Sequence, residues 1–323
     1  MKKSFCMILA FCLLLSAAAC SGGGTDSQAA SSVFSEASGA GSGAVPSAVS
    51  SLPASSSDSP QGTSSSSSGS SSAPASPLSQ ARSSQPEEAE TVRIAIPEGF
   101  TLSQIGDRLE ANGVCKKTDF IDAAQNYDFS YYPLVKAISP DEHRYYKLEG
   151  YLYPDTYDFY IDMKPEDAVG KFLRNTESNI MDDYSYDGMT TDQIVTLASI
   201  IEREADDPDD MKKVSSVFHN RLKAGQRLEA DATIVYVESY IKPNIGYADT
   251  YNAYYNTYKC SALPAGPICS PGADALDAAA HPADTDYYYF ITANGQYYYQ
   301  KTYDEHEEKL NELGLNPESS AVS

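Results

Sequence analysis

TLASIIEREADD, residues 196–207, sets an apolar helical run directly against four acids. Val195, Ala198 and Glu202 are spaced by three and four residues and share one helix face, so Glu202 stands at the edge of an apolar stripe. Glu204 falls on the other flank of the same apolar sector, near Leu197 and Ile200, so the helical wheel does not choose between the two acids. A helix end usually carries cations, which complement its partial negative charge. An acid part-buried against aliphatic side chains keeps its proton to higher pH, because desolvation penalises the charged form. Both glutamates are thus candidate general acids. The plainer alternative is a pair of solvated or ion-paired residues flanking Arg203.

Outward from this helix, apolar periodicity predicts further helices at 165–175 and at 211–224, the latter closed by Gly225. LEADATIVYV, residues 228–237, reads as strand or extended chain. DYYYFITANGQYYYQKT, residues 286–302, is two β-prone runs joined by Asn294-Gly295, a strong hairpin signal, and EHEEKLNEL follows as a polar helix. Upstream, TVRIAIPEG alternates Val92, Ile94 and Ile96 as a strand. TLSQIGDRLEANGV carries Leu102, Ile105 and Leu109 at helical spacing with Gly113 beyond, and KKTDFIDAAQ is a second short helix. The expected fold class is α+β: a mixed α/β domain over 141–316, a small β-α-α subdomain over 89–140, and a flexible tail at 317–323.

The first quarter of the chain is of another kind. MKKSFCMILAFCLLLSAAAC has two lysines, an apolar run and small residues, the layout of a secretory signal at 1–20. Ser16 to Cys20 resembles a lipobox, with Cys20 as the lipidated residue, and an uncleaved membrane anchor is the alternative. Residues 21–88 are almost entirely Ser, Gly, Ala, Pro and Gln, too polar to bury a core, and form a disordered tether spanning on the order of 45 Å. Both anchor readings put the rest at the extracytoplasmic face of the membrane. A net charge of −22 excludes a nucleic-acid binder, which needs clustered Lys and Arg. Beyond Cys6, Cys12 and Cys20, only Cys115, Cys260 and Cys269 remain; an odd count with no CxxC gives no disulfide framework and no metal site, and Cys260 with Cys269 is the one pairing left open.

Two loops rich in Tyr, Pro and Gly, at 148–159 and 254–276, are long for a compact domain and mark a binding or catalytic surface. They contain Glu149, Tyr151 and Tyr153, and Asn256 and Tyr258; Asp231 lies between the loops in sequence. The tyrosines supply flat faces for sugar rings in a chain without Trp, with loop packing as the alternative for each. His219 and His281 read as structural. GxSxG, P-loop and HExxH motifs are absent, and nothing signals a cofactor.

Taken in order, LEGYLYPDTYDF (148–159), ASIIERE (198–204), VSSVFHNRLKAGQRLEADATIVY (214–236), YNTYKCSALPAGPICSPGADAL (255–276), AAHP (279–282) and the closing YYYFIT with its later Glu305-His306 resemble the MltG (YceG-like) endolytic murein transglycosylase family. The resemblance implies a membrane-tethered enzyme that cleaves the MurNAc-GlcNAc β-1,4 bond of peptidoglycan strands without water, leaving 1,6-anhydro ends. It implies a LysM-like character for IPEGFTLSQIGDRLEANGV, Glu202 as catalytic acid, Glu149 and Asp231 in support, and peptidoglycan synthases as further partners. Two positions depart from the family pattern: Glu229 to Ala232, where Gln and Pro are usual, and Ala262, where Gly is usual. A catalytically silent peptidoglycan-binding scaffold and a true muramidase are the alternatives.

Overall fold

In the computed structural model, residues 90–180, 184–246, 249–260 and 262–316 are described. The signal segment, Cys20, the tether and the tail at 317–323 lie outside them. Strand β1 (Thr91–Ala95) is followed by α1 (Leu102–Ala111) and α2 (Lys117–Asn126), as the periodicity predicts. Thr101 caps α1 reciprocally with Gln104, and Leu102, Ile105 and Leu109 form its buried face. A short helix, α3 (Pro133–Lys136), precedes β2 (Thr156–Tyr160), which takes up the last four residues of the stretch expected to be loop at 148–159.

β2 pairs antiparallel with β1, Ile94 opposite Tyr157 and Val92 opposite Phe159. The β-α-α unit expected at 89–140 therefore takes its second strand from beyond residue 140. On the covered face, Tyr157, Phe159 and Phe120 gather around Phe172 of α4 (Pro165–Ile180), with ring centroids 4.5, 5.6 and 6.2 Å away. On the open face, Arg93 pairs with Asp158 at 2.8 Å.

Helix α5 (Thr191–Glu204) is the centre of the remainder. Thr190 caps it with Gln193, and Ile194, Val195, Leu197, Ala198, Ile200 and Ile201 are all buried. Helix α6 (Pro208–Lys223) packs against it, capped by Asp207 with Pro208 in the first turn. The acids following Glu204 thus belong to the start of the next helix, where the dipole favours them. The third partner of α5 is α10 (Ala273–Ala280), whose Ala275, Ala278 and Ala279 let the helices approach closely. Residues 273–276, expected to be loop, form its first turn.

LEADATIVYV does not form a strand. Asp231–Tyr236 is helix α7, running into a π-helical turn at Val237–Ile241, α8 (Lys242–Ile245) and, further on, α9 (Asp249–Tyr255). Its β-branched residues favour strand locally, but Thr233 is buried with its hydroxyl on the Ala230 carbonyl, and Tyr236 and Val237 are buried too. Tertiary packing overrides the propensity. The chain closes with the hairpin β3 (Tyr289–Ala293) and β4 (Gln296–Gln300), whose Asn294-Gly295 turn has φ of 53° and 73°, and with α11 (Tyr303–Glu312). No helix among the described residues is long and apolar enough to cross a membrane.

Candidate active site

Two residues apart on α5, Glu202 and Glu204 leave the helix in directions about 200° apart. Glu202 turns toward the loop before α10, where its Oε2 accepts the Gly272 N–H at 3.0 Å. Gly99 closes over it: a Cβ built there would lie 3.8 Å from Glu202 Oε1. Burial pushes the Glu202 carboxyl up to about 7, against the Gly272 N–H and with help from the charge of Glu98.

Glu204 turns the other way, into a cavity of about 350 Å³ that it lines with Arg221, Asp231, Tyr258, Tyr289 and His306. Burial pushes its carboxyl up to about 7 as well; the charge of Asp231 adds to this, while the Ala232 amide and Arg203 oppose it. Its Oε1 is sealed from solvent with no hydrogen-bond partner among the described residues. A buried polar atom left unpaired in a native fold calls for a reason. Protonation supplies one, because a neutral carboxylic acid loses less than a carboxylate by leaving a buried oxygen unpaired.

The walls of this cavity are held by the fold. Tyr258 donates to Asp231 Oδ1 at 2.8 Å. Its backbone N–H donates to Asn256 Oδ1 at 2.9 Å, so buried Asn256 shapes the loop rather than facing the cavity. Thr257 and Thr233 hydrogen-bond each other and the Ala230 backbone, fixing the start of α7 and with it Asp231. Arg221 anchors the far wall, donating to the Tyr288, Arg227 and Leu228 carbonyls and pairing with Glu229 at 2.8 Å. Tyr297, from the hairpin, donates to the Glu204 carbonyl at 2.5 Å.

Among the residues singled out from sequence, Asp231 and Tyr258 thus meet Glu204 and not Glu202. Glu149 lies apart and is fully buried: Oε1 accepts the Leu102 N–H at 2.8 Å at the start of α1, and Oε2 accepts the Tyr236 hydroxyl at 2.9 Å. Its carboxyl, pushed up to about 7 by burial, braces two helices. Tyr151 is 1 % exposed and donates to Asp192 Oδ1 at 2.5 Å, so it offers no face to a sugar. Tyr153 is half-buried on the Glu202 side, near Glu98 and Asp274. Cys260 and Cys269 are free thiols, Cys269 being wholly buried. Arg221, Tyr289 and His306 were not singled out; the one sequence signal for His306 is its place in the closing block of the resemblance.

Residues 70–312 match the sequence profile of the YceG-like family. The chain belongs to that family. Among curated YceG-like relatives, the endolytic murein transglycosylase of Bacillus subtilis is 33% identical over 66% of this chain and 63% of its own length. That of Streptococcus pneumoniae strain D39 is 28% identical over 73% of this chain and 47% of its length. The chain therefore spans about half to under two thirds of the curated relatives it matches. The crystal structure of a yceG-like protein from Listeria monocytogenes superposes with a TM-score of 0.58 at 34% identity, covering 67% of this chain and 74% of that one. The mixed helix-and-strand architecture is thus that of the YceG-like fold.

Proposed function

We propose that this chain is a peptidoglycan lytic transglycosylase and that Glu204, in preference to Glu202, is its acid and then its base. The observation that carries the proposal is the place of Glu204, its carboxyl pushed up to about 7 by burial, in the lining of one cavity with Asp231 and Tyr258. The names of the curated relatives agree with the reaction class.

In the proposed reaction, protonated Glu204 gives its proton to the glycosidic oxygen between MurNAc and GlcNAc as the C1–O bond breaks. The Asp231 carboxylate, held by Tyr258, stabilises the oxocarbenium-like charge on the muramyl ring. The Glu204 carboxylate then removes the proton of that sugar's 6-hydroxyl, whose oxygen closes on C1. A 1,6-anhydro end forms, Glu204 regains its proton, and no water enters. The protein would be held to the outer face of the membrane through lipidated Cys20 or an uncleaved anchor, trimming or terminating nascent strands.

The test is mass spectrometry of glycan released from intact sacculi. Wild-type protein and Glu202→Gln should both give anhydro ends, and Glu204→Gln should lower their yield roughly a hundred- to ten-thousandfold. Reducing ends would indicate a muramidase, and no cleavage a binding scaffold. Loss of activity in Glu202→Gln with retention in Glu204→Gln would return the role to Glu202. Labelling with a radioactive fatty acid, lost in Cys20→Ala, tests the anchor.

A further inference from the structure

A second and larger cavity, about 620 Å³, opens beside the first half of α5. Thr196 and Leu222 form part of its floor, and the rings of Tyr186 and Tyr254 form two of its walls. Each ring packs on an imidazole, Tyr186 on that of His219, which also lines the cavity, at 4.2 Å between centroids, and Tyr254 by stacking on His143. Asp187 and Lys223 line the cavity with opposite charges, and neither takes part in an ion pair among the described residues. The buried charge close by, Asp192, is already neutralised by Arg144 at 2.7 Å.

This cavity and the Glu204 cavity share structural parts. The loop after α9 gives Tyr258 to one and Cys260, Leu263 and Pro264 to the other. Helix α6 gives Arg221 to one and Leu222 and Lys223 to the other. Thr196 and Glu204 are eight residues apart on α5, about 12 Å along its axis.

We propose that the larger cavity binds the peptide stem carried by the muramyl sugar. The inference rests on the reading of the Glu204 cavity as a glycan-cleaving site. A stem of four or five residues reaches roughly 13 to 18 Å when extended, enough to bridge the two cavities from a muramyl ring held at Glu204. Its chemistry matches the lining. Lys223 faces a stem carboxylate, Asp187 faces the side-chain amine of the diamino acid, and the alanyl methyls lie against Tyr186, Tyr254 and Leu222. Both charges are exposed, Lys223 lying 5.7 Å from the Tyr186 ring centroid, and a bare sugar offers an ionic partner to neither.

The test titrates the full chain with the free pentapeptide stem, followed by calorimetry or by tyrosine emission, which no Trp obscures. Saturable binding is expected. It should weaken by about tenfold in Lys223→Ala and in Asp187→Ala, the worth of one charge-assisted contact, and should be unchanged in Glu204→Gln. A KM that rises when strands are stripped of their stems is the second expected result. The proposal is overturned if the wild-type chain binds no stem, if the Lys223→Ala, Asp187→Ala double variant binds as well as wild type, or if stripped and intact strands share one KM. Should Glu204→Gln still cleave while stem binding holds, the catalytic assignment falls and this one stands.

Discussion

The Tyr258 hydroxyl donates a 2.8 Å hydrogen bond to Asp231 Oδ1, joining the loop after α9 to the first turn of α7 at the wall of the Glu204 cavity. The negative charge so held favours the protonated form of Glu204. Glu204 must carry its proton to act as an acid, so activity should fall as pH rises through about 7. Asp231→Asn removes a charge that raises this value, and the fall should begin at lower pH. A pH profile of kcat/KM on both proteins checks it; an unmoved limb would detach Asp231 from Glu204.

Glu149 makes stability depend on pH in a definite direction. Its carboxyl is raised from 4.5 to about 7, so between those values the native state holds a proton that the unfolded chain releases. The stabilisation is complete below about 4.5 and is lost as pH climbs through about 7, a change of about 3 kcal/mol in all. Glu149→Gln should be less stable at pH 5, because an amide oxygen replaces two acceptors, and flatter across the window. Denaturant melts at a series of pH values measure both effects.

Gly150→Ala should destabilise by about 3 kcal/mol or more. Gly150 has φ of 83°, and a Cβ there would lie 2.4 Å from the Pro267 ring. Neither the backbone nor the proline can yield cheaply. Gly225→Ala, at φ of 68° with open space around it, should cost only the conformational strain. Urea midpoints of the two variants separate contact from backbone.

Arg144 and Asp192 form an ion pair whose side chains are 4% and 8% exposed. Removing only the cation strands a buried carboxylate, so Arg144→Ala should cost about 3 to 5 kcal/mol. Arg144→Met combined with Asp192→Asn should cost less than Arg144→Ala alone, and chemical denaturation of the two decides it.

Elements written in local signals were legible from sequence. Asn294-Gly295 specifies its own turn, Thr101 and Gln104 their own cap, and the aliphatic residues of α5 their own buried face. What the sequence withheld depends on distant partners. Asp231–Tyr236 is helical because Thr233 and Tyr236 are buried against other elements, and β1 is completed by a strand past residue 140. The different surroundings of Glu202 and Glu204, on which the proposed assignment rests, were hidden for the same reason. Both flank one apolar sector, and only the position of Gly272 on one side and of Asp231 on the other separates them. Tyr151 and Glu149 looked like ligand contacts in a Tyr-rich loop, yet their polar atoms are taken up by Asp192, Leu102 and Tyr236.

The pairing of Thr91 with Tyr160 sets a timetable for assembly. At ordinary ribosomal speeds the intervening chain takes on the order of several seconds to appear, whereas a helix such as α1 forms within about a microsecond. The first strand among the described residues therefore waits for its partner after α1 and α2 have formed. Until Tyr157 arrives, Ile94 has no cross-strand partner to lie against.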